Sequence, residues 1–261
     1  MAAPLDDIKR FLEAFSYRER ETAGFVGASA YRPFVTISRQ AGAGGHTLAR
    51  VLLQQMQQED DPLFHGWQVF DRELCEQLIA DPALRISMQA LLSEEYHTDI
   101  EDAIYSLLGG ESPQYVVVKK LFETIRSLAA MGRVIVVGRG GMCVTRGLPD
   151  GVHVRLVASE ATRLQRMRTL VETTEREAKE LMARQDRDRA RLIADYFHRD
   201  IDDPLLYVMM WNTDAAPMEA IAASLIAFMK RHAAAAAARH PTPPPVGRGL
   251  EVSGGPCHES Y

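Results

Sequence analysis

The residues best suited to do chemistry in this chain lie in three segments rich in glycine and arginine. The first is Val35-Thr36-Ile37-Ser38-Arg39-Gln40-Ala41-Gly42-Ala43-Gly44-Gly45-His46-Thr47-Leu48-Ala49. A β-branched run enters a glycine-rich turn, and an apolar, helix-compatible segment leaves it. That order presents successive backbone N–H groups and a positive helix end to a phosphate. The glycines let phosphate oxygens approach the main chain with no Cβ in the way. A loop of the Walker type carries a Lys between its last phosphate-binding glycine, here Gly44, and its Ser/Thr, here Thr47. Here Gly45 stands at that position, two residues before Thr47, so the loop suits phosphate but lacks its usual cation.

The second segment is Val134-Ile135-Val136-Val137-Gly138-Arg139-Gly140-Gly141-Met142. Four β-branched residues read as a buried parallel strand that delivers Gly138 and Arg139 to its carboxyl end, where ligands collect in open α/β sheets. An arginine between glycines there can donate two parallel bonds to a phosphate lying against the backbone. A turn with an exposed arginine fits the same residues. The third segment is Arg184-Gln185-Asp186-Arg187-Asp188-Arg189-Ala190-Arg191. On a helix, Arg184, Asp188 and Arg191 share one face. Two guanidinium groups flanking a carboxylate suit a phosphate and a sugar hydroxyl; a solvated helix face is the plainer reading. Residues 160–200 hold 10 Lys/Arg and 9 Asp/Glu, so the arginines here, with Arg163 and Arg166 upstream, would act individually.

The elements that must position these residues are legible in outline. Short apolar runs alternate with longer periodic segments from about residue 31 to 232, the pattern of βαβ units around a parallel sheet. Strands are expected at Phe34–Ile37, Trp67–Phe70, Val134–Val137, Val152–Val157 and Tyr207–Met210. Ahead of them, residues 1–30 carry a helical stripe in Leu5, Ile8, Phe11, Leu12 and Phe15, suited to packing on the main domain or to self-association and partner contact. Residues 233–261, an alanine run followed by Pro- and Gly-rich sequence, read as a disordered tail.

Bulk properties bound the function. A chain of 261 residues accommodates one large α/β domain with extensions. A formal charge of −5 argues against general nucleic-acid binding. Cys75, Cys143 and Cys257 have no metal-ligand spacing. No apolar run approaches membrane-spanning length and the first 30 residues lack a signal-peptide pattern, so no membrane association and a cytoplasmic location are expected.

Taken in order, the glycine loop, Phe70-Asp71-Arg72-Glu73, the Gly138-Arg139 strand and the Asp186-Arg187-Asp188-Arg189 helix resemble the cytidylate kinases. The likeness is strongest to their divergent cytidylate kinase-like relatives and covers about residues 34–215. The resemblance implies an α/β, three-layer P-loop kinase fold with a five-stranded parallel sheet, a helical acceptor-binding insertion around residues 81–120 and a short arginine-bearing lid. It implies a phosphotransferase that uses ATP and Mg²⁺ to phosphorylate a nucleoside monophosphate, with a pyrimidine acceptor expected. Gly42, Ala43, Gly44, Gly45, His46 and Thr47 would cradle ATP phosphates, with the Thr47 hydroxyl helping to hold Mg²⁺. Arg163 and Arg166 fall near the lid arginines. Arg139, Asp188 and Arg191 match acceptor-binding positions, with Asp71 and Arg72 beside them, and Arg184 matches an arginine on the acceptor phosphate. Departures are Gly45 for the lysine, Arg39 for the loop's first glycine, and Gly140 for an aspartate that helps to read cytosine.

The catalytic set read here is therefore Arg39, Arg139 and Arg184. Phosphoryl transfer rests on positioning and charge neutralisation, and one missing cation costs on the order of 2.7–4 kcal/mol by analogy with a lost oxyanion donor. Arg39 either folds back to supply that cation or serves as a strut that pins the loop. Asp71 is either an N-cap or a partner of Mg²⁺ or the acceptor hydroxyl, and His46 reads as solvent-facing. Two other classes stay open: a nucleotide-binding regulatory module without turnover, and a dinucleotide-binding fold with Gly42-Ala43-Gly44 as its fingerprint and Asp71 as its acidic residue.

Overall fold

A computed structural model describes residues 4–22, 31–81 and 113–239. Five strands form one sheet: β1 (Phe34–Arg39), β2 (Gln68–Phe70), β3 (Val134–Val137), β4 (Gly151–Val157) and β5 (Met209–Asn212). Their order is β2-β3-β1-β4-β5, every pairing is parallel, and β1 lies in the middle. All five runs of the sequence reading are strands, with small shifts of the ends. The largest is at β5, where a 3₁₀ turn, Pro204–Leu206, takes up the chain before Met209.

Strands buried on both faces need apolar residues on both, which explains the unbroken Val-Ile-Val-Val run of β3. Val134 and Val136 enter one core, with Phe70, Leu78, Phe122 and Ile125. Ile135 and Val137 enter the other, with Val35, Ile37, Leu48, Leu52, Val154, Ile221 and Leu225. The first core is covered by α1 (Pro4–Thr22), α3 (Arg72–Ala80) and α4 (Pro113–Met131). The second is covered by α2 (Gly45–Met56) and α8 (Met218–Arg239). The result is the three-layer α/β sandwich.

The N-terminal stripe is used inside the chain. Ile8, Phe11, Leu12 and Phe15 are buried in the first core, and Phe11 meets Phe70 edge-on at 5.6 Å; the side chain of Leu5 lies outside the described residues. The tail boundary needs correcting. The alanine run from residue 233 continues α8 to Arg239 instead of starting a disordered tail, because alanine has the highest helix propensity and α8 is already anchored by Ile221, Leu225 and Met229. Residues 240–261, and most of the expected acceptor-binding insertion, lie outside the described residues.

The dinucleotide-binding alternative does not survive the sheet order. That fold places β1 beside β2, whereas here β3 separates them.

Candidate functional site

Residue Arg39 closes β1, and the chain then turns through Gln40–Gly44 into α2. Gly42 (φ 77°) and Gly44 (φ 93°) hold left-handed conformations that the turn requires. Ala43 N–H donates to Gln40 O at 3.1 Å, and Leu48 N–H to Gly44 O at 2.9 Å. The amides of Gly42, Gly44, Gly45, His46 and Thr47 find no acceptor among the described residues. A loop followed by an unsatisfied helix start is an anion cradle.

Two latches fix the loop from behind. The Ala41 N–H donates to Asp186 Oδ1 at 2.7 Å, and the same carboxylate takes Arg163 Nη1 at 2.7 Å and Arg189 Nη1 at 3.0 Å. Opposite, Thr213 Oγ1 donates to Ala43 O at 3.2 Å and accepts from Arg166 Nη1 at 2.8 Å. The carboxylate and Arg189 come from α7 (Glu175–Phe197), and Arg163 and Arg166 come from α6 (Glu160–Val171). These helices form a hairpin over the carboxyl ends of β1 and β4.

At the end of β3, Gly138 (φ 83°), Arg139 (φ 56°) and Gly140 (φ 67°) are three successive left-handed residues, followed by the one-turn helix α5 (Gly141–Val144). A left-handed arginine is strained by about 1–2 kcal/mol. Arg139 Nη2 donates to Glu76 Oε1 at 2.9 Å, an oxygen shared with Arg72 Nε at 2.9 Å, while Arg139 Nε is buried without a partner. Burial, then the neighbouring Arg72, lowers the Arg139 pKa.

The two turns face one cavity of about 960 Å³. Arg39, Arg72, Arg139, Arg166 and Arg189 line it, and Asp188 is its one acidic lining residue among those described. Met167, Leu170, Val171 and Leu181 of the α6–α7 hairpin add an apolar wall. Burial lowers Arg39 to about 10, with Arg189 and Arg139 adding to the effect, and it lowers Arg189 too. So a chain of net charge −5 concentrates desolvated cations around one cavity, an arrangement that an anion relieves. The volume is at the upper end for small-molecule sites, with room for more than one ligand.

A model of the cytidylate kinase-like family matches residues 34–215, which span the loop, both turns and the α6–α7 hairpin. The chain belongs to that family. No curated protein matches the chain in sequence. Among solved structures it is similar to an uncharacterised protein from Eubacterium ventriosum, at 16% identity and a TM-score of 0.60, covering 77% of this chain and 99% of that one. Shikimate kinases from Bacteroides thetaiotaomicron (14% identity, 76% of this chain and 98% of that one, TM-score 0.40) and Acinetobacter baumannii (15%, 77% and 94%, 0.38) are more distant. By its family the chain is a kinase-like, nucleotide-binding protein, and its five-stranded parallel sheet with helices on both faces is the scaffold that carries the family's motifs.

Within this cytidylate kinase-like fold the expected site residues separate. Gly42, Gly44, Gly45, His46, Thr47, Arg39, Arg72, Arg139, Arg166 and Asp188 line the cavity. Ala43 is buried behind the loop, and Arg163 is spent on Asp186 and Ala41 O, so it is a strut here and not a lid arginine. Asp71 is the N-cap of α3, accepting from Leu74 N–H at 3.1 Å, with Oδ2 3.9 Å from exposed His46.

The placement of Arg184 and Arg191 is a correction: both are exposed and neither lines the cavity. Buried Ala178, Met182 and Ile193 set the phase of α7. At about 100° per residue, Arg189 falls about 20° from Met182, whereas Arg184 and Arg191 fall about 160° and 180° away. Asp186 and Arg189, present in the motif but unassigned, are the residues that face inward. The phase of those three apolar residues was the signal that could have found them. For Mg²⁺ the chain offers the Thr47 hydroxyl at the start of α2, and no group of three potential metal ligands occurs among the described residues. That set fits an ion held chiefly by nucleotide phosphates and water. Among the described residues no helix is long and apolar enough to cross a membrane.

Proposed function

We propose that the protein transfers the γ-phosphoryl group of ATP·Mg²⁺ to a pyrimidine nucleoside monophosphate. The observation that carries this reading is the cavity itself: two phosphate-competent turns facing one arginine-lined space large enough for donor and acceptor. The loop amides of Gly42 and Gly44–Thr47 hold the donor phosphates. Thr47 would hold the Mg²⁺ that accompanies the nucleotide through its hydroxyl, and that ion would supply charge neutralisation on the phosphates. Arg139, preset by its left-handed turn, and Arg72 take the acceptor phosphate; Asp188 accepts from a sugar hydroxyl. Arg189 and Arg166, which line the same cavity, offset the charge that spreads over the transferring oxygens. No covalent step on the protein is needed, since positioning and electrostatics carry the reaction.

A coupled assay with ATP and Mg²⁺ across the nucleoside monophosphates tests this. Turnover of a pyrimidine acceptor supports it, and turnover restricted to purines removes the assigned base. The absence of lysine at Gly45 favours one other reading, a nucleotide-binding module without turnover. Saturable ATP binding with no turnover of any acceptor would establish that reading instead.

A further inference from the structure

We infer that Arg39, Gly45 and Gly138 form one exchange: the phosphate cation has moved from the start of α2 to the end of β1, and the two glycines are the room it needs. The inference rests on the phosphate-binding part of the proposed function and not on turnover.

Three observations converge on it. A Cβ on Gly45 would sit 3.0, 3.1 and 3.3 Å from Arg39 Cγ, Cδ and Nε, so the arginine stem runs through space that a side chain at 45 would claim. A Cβ on Gly138 would sit 2.0 Å from Arg39 Nη1 and 3.0 Å from Cζ, so the guanidinium rests directly on the second turn. Arg39 also lines the cavity, and no described residue forms a hydrogen bond or ion pair with its guanidinium. Its neighbours of like charge, Arg189 and Arg139, outrank Asp186 and Asp71 in their influence on it.

A strut would show the reverse. It would be paired, as Arg163 is with Asp186 at 2.7 Å. An inward cation with no partner is costly to the ligand-free fold and is justified by the anion it meets. Geometry also makes the two cation positions exclusive. A lysine at 45 would displace the Arg39 stem, and an arginine at 39 needs glycine at 45. Arginine reaches across both turns and offers a fork of donors where lysine offers a point charge, so one side chain can contact phosphates on both sides.

The decisive probe is inorganic tripolyphosphate, which carries the phosphate chemistry without base or acceptor, titrated calorimetrically beside thermal melts of ligand-free protein. Arg39→Met keeps the stem and removes the fork; it should weaken tripolyphosphate at least tenfold while the ligand-free melting temperature holds or rises. Gly45→Ala should also weaken binding severalfold without lowering that temperature, since alanine suits a helix start sterically yet pushes the stem aside. The double variant Arg39→Ala with Gly45→Lys should recover most of what Arg39→Ala loses. Wild-type affinity in Arg39→Met, or wild-type protein that ignores tripolyphosphate, overturns the inference. If Arg39→Met both melts early and binds weakly, Gly45→Ala decides, and unchanged affinity there overturns it. A double variant that binds no better than Arg39→Ala overturns the exchange. Wild-type protein that binds tripolyphosphate through Arg39 but phosphorylates no nucleotide sinks the kinase reading and leaves this one standing.

Discussion

The turns at the ends of β1 and β3 face the same cavity but are built on opposite plans. After β1, strain is carried by glycine alone, and what the turn offers is main chain: a row of amides and the start of α2. After β3, strain falls on Arg139, set between two left-handed glycines, and what the turn offers is a side chain in a fixed place. The first plan suits any phosphate that reaches the backbone. The second spends conformational energy to aim one guanidinium, which makes sense for a group that must be placed relative to another. Breaking the first turn should therefore cost binding of every anion, and breaking the second should cost one ligand only.

The largest effect is expected at Gly42. A Cβ there would lie 2.5 Å from Arg163 O, a backbone atom of α6 that cannot swing aside, and φ of 77° is unfavourable for alanine. Gly42→Ala should destabilise the protein by about 3 kcal/mol or more and abolish tripolyphosphate binding. Urea unfolding and calorimetry measure both; a variant with native stability and affinity would mean that the loop is free to move away from α6. Next comes the rim. Arg189→Ala removes a cavity-lining charge and a partner of Asp186, and should weaken nucleotide binding by about 2–3 kcal/mol. Arg184→Ala and Arg191→Ala should each change it by under about 0.5 kcal/mol. Equal losses at 184 and 189 would show that α7 turns when ligand binds.

At the second turn, Arg139→Ala should raise KM for the acceptor about tenfold, roughly 1.4 kcal/mol, and leave KM for ATP alone. A parallel rise in both constants would erase the difference between the two turns.

What the sequence disclosed tracks the range of the interactions involved. The strands, the glycine loop and the Gly138–Gly140 turn follow from local rules of β-branching, glycine freedom and periodicity, and all are legible. The side of α7 that faces the cavity is hard to read because polar residues repeat so densely that the spacing of Arg184, Asp188 and Arg191 is as convincing as that of Gln185, Asp188 and Arg189, which line the cavity. Only three scattered apolar residues, Ala178, Met182 and Ile193, fix the phase. The latch at Asp186 joins positions 145 residues apart, and the room that Gly45 and Gly138 give Arg39 spans three elements. Pairings of that kind carry no local signature. The helical continuation through the alanine run is hidden for a different reason: composition shows only alanine ahead of proline, whereas the helix is extended from its anchor at Ile221, Leu225 and Met229.

A smaller, pH-dependent effect probes the other flank of β1. Toward β3 the strand meets only Val and Ile side chains, in the register Val35 to Ile135 and Ile37 to Val137. Toward β4 it makes a polar pair, Thr36 Oγ1 with His153 Nδ1 at 2.9 Å, and burial lowers His153 to about 4. A histidine whose folded pKa is depressed binds fewer protons in the native state than in the unfolded chain. Its neutral form therefore contributes stability in full above the unfolded value of about 6.5. That contribution is lost progressively as pH falls from 6.5 to about 4, where the native protein protonates as well. At pH 5.5 the loss should be about 1 kcal/mol relative to pH 7.5. His153→Gln, which does not titrate, should remove that part of the pH dependence whatever it does to stability at neutral pH. Urea midpoints of wild-type and variant across this range measure it. Parallel curves would mean that His153 is solvated in solution, and that the β4 flank is no more sensitive to acid than the apolar β3 flank.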